Sequence, residues 1–267
     1  MKNKFLFLIT IFIFWGVLFP ALHYGSDLTG VINYGVIDSS HPDLQTGRFQ
    51  TSIPLKVPPG RKGVEPNLRL SYQSGGGNGL CGVGWNLEIG SIQRSTKKGL
   101  PKFDNSDIFI STTSGAELVN IGGSEYREKI IADFTKFVFY GTYWEAWDKK
   151  GTKYRFGYDS TSRLDAAANK TFTWYLDRIT DVNGNYLTIS YQKISQTTFG
   201  TTQDIVYPLQ IKYTGNDTTG DLPYNTVDFT LQDRTDTSPM GKRLSEIDIK
   251  NNGALVRKYI LSYTYST

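Results

Sequence analysis

Histidine and cysteine are almost missing from this chain: its 267 residues hold two of the former, His23 and His41, and one of the latter, Cys81. A lone cysteine excludes disulfides within the chain and any zinc site built from several thiolates. Both histidines precede the region of strand-like patterning, so a histidine-based triad in that region is excluded as well. Charge of one sign is not in excess either. Removing Lys2 and Lys4 of the leader from the 29 basic residues leaves 27 against 25 acidic ones. A body so close to neutral lacks the electrostatic footprint of a nucleic-acid binder. The apolar run from Phe5 to Phe19, in MKNKFLFLITIFIFWGVLFPALHYG, is shorter than the ~20 residues that comfortably cross a bilayer. Its basic start and its stop at Pro20, with no basic cluster after it, mark residues 1–22 as a secretory signal peptide. The mature protein is then expected to be secreted and extracellular, meeting a membrane only through that peptide during export.

What the chain does have is aromatic: 17 Tyr, 15 Phe and 5 Trp, residues that favour pleated, half-buried surfaces. Residues 23–46 are polar and aperiodic and read as a linker or extended arm. From Gly47 onward, apolar residues recur at every second position. RFQTSIPLKV, NLRLSY and WNLEIGSI open the series, followed by KFVFY, YWEAW, KYRFGY, TFTWYLDRI, YLTISY, LQIKY, TVDFTL, LSEIDIK and VRKYILSYTY. Turn chemistry separates them, as in Pro58-Pro59-Gly60 and Asn183-Gly-Asn185. Only EYREKIIADF (125–134) and RLDAAANK (163–170) have the composition of short helices. The expected fold is all-β, antiparallel, sandwich-like or made of packed hairpins.

The stretch SYQSGGGNGLCGVGW (71–85) raises a sharper question. Gly77-Asn-Gly79-Leu-Cys-Gly82 fits the dinucleotide fingerprint G-x-G-x-x-G, and Asp104 lies at about the spacing of a ribose ligand. That chemistry needs a helix opening at the third glycine, whose N–H groups hold the pyrophosphate. VGWNLEIGSI follows instead, with two more glycines and period-two alternation. The loop therefore reads as a glycine-rich connection between strands, with positive φ at several positions and a bulge near Gly82–Gly84, and no nucleotide is expected.

Taken in order, GRFQTSIPLKVPPGRKGVEPNLRLSYQSGGGNGLCGVGWNLEIGSIQRSTKKG (47–99) resembles the opening signature of the SpvB-type domain. That domain begins the B components of Tc insecticidal toxin complexes and related secreted toxins with RHS/YD repeats. The resemblance continues through FDNSDIFI, WDKKGTKYRFG, WYLDRITDVNGNYLTISY, RTD (234–236) and RLSEIDI (243–249). It marks Pro54, Pro58, Pro59, Gly60, Pro66, Gly75, Gly79, Gly82, Gly84, Trp85, Asp181, Gly184 and Asn185 as a structural signature. It implies that residues 47–267 are one β domain, a fragment of a larger virulence or insecticidal toxin. It also implies a non-enzymatic structural module of a β-shell around an effector, with other segments or subunits of a toxin complex as partners. The Glu-x-Glu pair of an ADP-ribosyltransferase is not found; Glu125 and Glu128 are spaced differently.

Other constellations are weaker. DVNGN (181–185) and DNSD (104–107) hint at calcium, but Asn-Gly is a strong hairpin signal, and both read as turns. Tyr143-Trp144 to Trp147 and Phe172 to Tyr175 suggest sugar stacking, against a core role. A stand-alone extracellular carbohydrate- or surface-binding β-module is the alternative function. A hydrolase using Asp177, Asp181 or Glu145 would need two carboxylates flanking one cleft. No catalytic, cofactor or metal residue is assigned.

Overall fold

The computed structural model describes residues 38–42, 47–104, 106–130, 136–198, 200–236, 238 and 240–265. The expected signal peptide and most of the expected arm, His23 included, lie outside the described residues. The end of that arm is a strand, β1 (Asp38–Pro42), antiparallel to β2 (Phe49–Leu55). β3 (Leu68–Gln73) pairs next, from Gln50↔Gln73 to Leu55↔Leu68. Beyond it a short ladder of β4 (Asn78–Gly79) and β5 (Gly82–Val83) leads into β6 (Trp85–Leu87), which completes a four-stranded sheet in the order β1-β2-β3-β6. The period-two pattern explains its faces: Leu55, Leu68, Leu70 and Leu87 are buried on one side, while Arg69 and Asn86 are exposed on the other.

Seven short strands then meander. They are β7 (Ser91–Arg94), β8 (Phe109–Ser111), β9 (Glu117–Gly122), β10 (Glu125–Glu128), β11 (Lys136–Phe139), β12 (Trp144–Trp147) and β13 (Lys153–Phe156). A hairpin follows, β14 (Arg163–Ala167) and β15 (Lys170–Thr180). Trp174 of β15 pairs with Arg163 on one side and with Ile92 of β7 on the other, and β13 pairs further along the same strand, Phe156↔Leu176 to Lys153↔Thr180. β15 thus closes β7–β13 into an eight-stranded antiparallel barrel. Rings fill the interior: Trp144 lies 4.7–4.9 Å from Phe109, Tyr126 and Phe139, and 6.1 Å from Trp174. Each such pair adds about 0.5–1.5 kcal/mol beyond burial alone. Arg94 stands among them, over the rings of Phe109 and Trp174, with its charge met by Asp107 at 2.7 Å and its Nε donating to the Thr171 carbonyl.

The far end of β15 also pairs with β16 (Asn185–Thr198), from which an open sheet continues. β17 (Thr201–Asn216), β18 (Asn225–Asp233), β19 (Lys242–Asn251) and β20 (Ala254–Ile260) follow as antiparallel neighbours. Their buried face carries Leu187, Ile211, Tyr213, Val227, Ile247, Ile249 and Tyr259. The four-stranded sheet covers it. Tyr213 donates to the Pro58 carbonyl, Tyr259 Oη accepts from the Lys56 N–H, and the Leu244 N–H donates to the Leu80 carbonyl. The fold is therefore all-β, part sandwich and part barrel.

Three local expectations change. Glu125–Glu128 and Arg163–Ala167 are strands rather than helices. Turns at Gly122-Gly123 (φ 137 and 56) and at Asn169 (φ 59) fold each into a hairpin, where cross-strand pairing outweighs the helical propensity of Glu, Lys and Ala. WNLEIGSI divides into β6 and β7, with Gly90 at φ 98 between them. The last strand ends at Ile260; beyond it Leu261 and Tyr263 still turn into the core, where Tyr263 Oη donates to the Leu244 carbonyl.

Candidate functional site

The glycine loop is a chain of tight backbone turns. The Gly76 N–H donates to the Gln73 carbonyl, the Gly84 N–H to that of Gly77, and the Gln73 N–H to that of Gly84. Gly75, Gly82 and Gly84 have positive φ, as expected of a turn, whereas Gly79 does not. Gly84 is the position that only glycine fits. Its φ is +77, and a Cβ there would sit 2.7 Å from the Tyr72 ring and 2.8 Å from the Gln73 carbonyl oxygen. Strand β6 starts at the next residue, Trp85, whose ring packs 5.2 Å from Tyr72. No helix opens here, so the fingerprint has no N-terminal dipole to offer a phosphate.

The loop is held from a segment 155 residues away. Arg234, its side chain only 2% exposed, donates through Nη1 to the Gly79 carbonyl at 2.7 Å and through Nη2 to Asn78 Oδ1. Nε and Nη2 form a fork onto Asp236 at 2.8 Å each, and Asn78 Nδ2 donates to the same carboxylate at 3.0 Å. These bonds, Arg234's first, hold the Asp236 carboxyl well below the usual carboxylate range. Arg234 and Asp236 were not singled out by sequence reasoning. The only signal was the RTD triplet's place within the resemblance.

The proline segment is a second fastening. Pro54 is exposed on β2, two residues beyond Ser52, where the pairing with β1 stops among the described residues, and there it tolerates the loss of an N–H. Pro58 offers its carbonyl to Tyr213, and Pro66 is buried while Pro59 is exposed. Gly60 has no room for a side chain: a Cβ would meet the Val64 carbonyl oxygen at 2.0 Å. The DVNGN motif is a turn. Both oxygens of Asp181 accept from Asn183 and Asn185, Gly184 has φ +79, and Asn216 Nδ2 donates to Asn185 Oδ1 at 2.7 Å. Asp104 accepts from Ser106, and Asp107 serves Arg94.

The carboxylates weighed for hydrolysis are engaged separately. Asp177 is buried, bonded to Arg155 Nε and the Tyr158 N–H at 2.6 Å each. Burial pushes its pKa up against those bonds. Glu145 faces Lys153 at 3.4 Å, and Asp181 belongs to its turn, so no two share a partner. Trp144 and Trp174 are core residues.

Comparison with known proteins agrees with this architecture. Residues 43–140 match the family model of SpvB, the Salmonella virulence plasmid 65kDa B protein. Over 186 residues the chain is 27% identical to the mono(ADP-ribosyl)transferase SpvB of Salmonella choleraesuis, covering 58% of this chain and 31% of that protein. It thus spans under a third of the curated relatives it matches. Among solved structures, it resembles the Photorhabdus luminescens Tc holotoxin pore with a TM-score of 0.69 at 18% identity, over 86% of this chain and 14% of that one. It also resembles the N-terminal domain of the effector protein SpvB from Salmonella typhimurium, with a TM-score of 0.57 at 20% identity over 78% and 85% of the two chains. Residues 43–140 thus match the SpvB family model, and the chain shares its fold with the solved N-terminal domain of SpvB.

Proposed function

We propose that the chain is a non-enzymatic structural module of a secreted toxin-like protein, contributing to a β-shell that encloses or presents an effector. The observation that carries this reading is the open end of the large sheet. Among the described residues β20 pairs with β19 alone, and Leu255 and Val256 on it are 41% and 37% exposed. A long edge of this kind is a template for a further strand, here from another segment or subunit of a toxin. Three signature residues support the same reading through long-range bonds: the Gly79 carbonyl accepts from Arg234, the Pro58 carbonyl from Tyr213, and Asn185 Oδ1 from Asn216. Export through the N-terminal signal, and the absence of nucleotide and nucleic-acid ligands, belong to the proposal.

Sedimentation of the chain over a tenfold concentration range tests it. The isolated chain is expected to self-associate through β20, and the double variant Leu255→Lys, Val256→Lys to stay monomeric with its thermal midpoint within a few degrees of the parent. A monomeric parent with strongly protected β20 amides in hydrogen exchange would overturn the reading.

A further inference from the structure

The dipeptide Asn-Gly occurs three times, at Asn78-Gly79, Asn183-Gly184 and Asn252-Gly253. It carries a chemistry of its own. The glycine nitrogen can attack the carbon of the asparagine side-chain amide, and glycine has no Cβ to screen that approach. The attack requires an amide free to turn onto the nitrogen and a backbone free to deform. The fold treats the three sites differently.

Two are locked. Asn78 Oδ1 accepts from Arg234 Nη2, its Nδ2 donates to Asp236 at 3.0 Å, and its carbonyl accepts from Ser238 Oγ at 3.3 Å. Asn183 donates to the Asp181 carboxylate through its N–H at 2.8 Å and through Nδ2 at 3.3 Å. The nitrogen that would attack there is tied as well, because the Gly184 N–H donates to the Asp181 carbonyl at 3.1 Å. The third site is open. Asn252 and Gly253, at φ 47 and 81, are the two residues of the turn between β19 and β20, which the Asn251↔Ala254 pair closes. Both are exposed, and nothing lies within 4 Å of where a Cβ on Gly253 would stand. One backbone bond, from the Asn252 N–H to the Tyr224 carbonyl at 2.9 Å, holds the turn. Among the described residues the Asn252 side-chain amide has no partner.

We propose that Asn252 is the site at which this chain deamidates without an enzyme, while the fold protects Asn78 and Asn183. The Gly253 nitrogen gives its proton to base and bonds to Asn252 Cγ. The Cγ–Nδ2 bond breaks, and the nitrogen leaves with a proton as ammonia. One water then opens the five-membered succinimide at either carbonyl, leaving aspartate or isoaspartate. Either product adds a negative charge to the turn, and isoaspartate routes the backbone through Cβ, adding one atom to a two-residue connection. The inference is independent of the shell reading.

The full chain, aged in mildly alkaline buffer and mapped by mass spectrometry, provides the test, with isoaspartate marked by an isoaspartyl methyltransferase. Conversion is expected to be at least about tenfold faster at Asn252 than at Asn78 or Asn183, since each of those must first break two or more hydrogen bonds. In urea the three should convert at comparable rates. Arg234→Met should speed Asn78 by about tenfold and leave Asn252 unchanged. Conversion at Asn252 no faster than at the other two, or a ranking that persists in urea, would overturn the proposal. So would an unmoved Asn78 rate in a folded Arg234→Met variant.

Discussion

Replacing Arg234 by methionine isolates the fastening of the glycine loop. Methionine keeps much of the stem but removes the donors to Gly79, Asn78 and Asp236. Removing one partner of a buried ion pair costs about 3–5 kcal/mol when the other charge stays buried. The Asp236 side chain keeps 22% exposure, so water recovers part of that loss. With the orphaned Gly79 carbonyl included, about 3 kcal/mol is expected. For a chain of this size that lowers the thermal midpoint by about 6–12 °C. Arg234→Lys should recover only a small part, since an ammonium cannot fork onto a carboxylate and reach a carbonyl together. The acid limb gives a second reading. Arg234 holds Asp236 well below the usual carboxylate range. A depressed folded pKa adds stability above the unfolded value near 4 and loses it as pH falls toward the folded one. The parent should therefore lose more stability than Asp236→Asn between about pH 5 and pH 2. Urea unfolding across that range is the assay. A cost under about 1 kcal/mol for the methionine variant, or identical acid slopes for parent and Asp236→Asn, would refute the anchor.

Gly84→Val should destabilise by at least about 1 kcal/mol, through its positive φ and the Tyr72 and Gln73 contacts. Gly79→Ala should cost less than about 1 kcal/mol, as a Cβ there meets only the Trp85 carbonyl oxygen at 3.6 Å; equal costs would show that crowding is not the cause. ATP and NAD should leave the thermal midpoint unmoved, and a saturable shift abolished by Gly79→Ala would restore the nucleotide reading. Burial pushes the Cys81 thiol up to about 12, so a thiol reagent at pH 8 should label it only on unfolding; rapid labelling of the folded chain would contradict its placement. Expressed with its own leader, the protein should be exported in a form shorter by roughly 20–25 residues, and N-terminal sequencing that finds Met1 in a membrane fraction would count against export.

Most strands were legible because apolar residues recur at every second position, as in Phe49 to Leu55 and Leu68 to Tyr72, and burial follows that alternation at Leu68, Arg69 and Leu70. The glycine loop was legible too, since a phosphate site needs a helix and VGWNLEIGSI cannot start one. Barrel closure was not legible. It depends on Trp174 meeting Ile92, and nothing local to either residue records the other. Residues 125–128 and 163–167 misled for a related reason: Glu, Arg and Ala favour helix locally, and the glycine and asparagine turns that make hairpins of them act from outside the window. Arg234 looks like any surface arginine in a polar run. Its burial follows from the loop that reaches it from far along the chain.

That β15 serves both the barrel and the open sheet has a consequence for timing. Its pairing with β7, Thr173↔Gln93, joins residues about 80 positions apart, and contacts this distant form late because loop closure must precede their reward. On a chain that emerges N-terminus first, β7 to β13 can meander with their neighbours but cannot close. Only when β15 arrives do the aromatic interior and the following sheet acquire their common wall, in one step. A substitution that weakens β15 would thus stall both halves at once, and β7 to β13 would wait as an unsealed ribbon at the moment of synthesis.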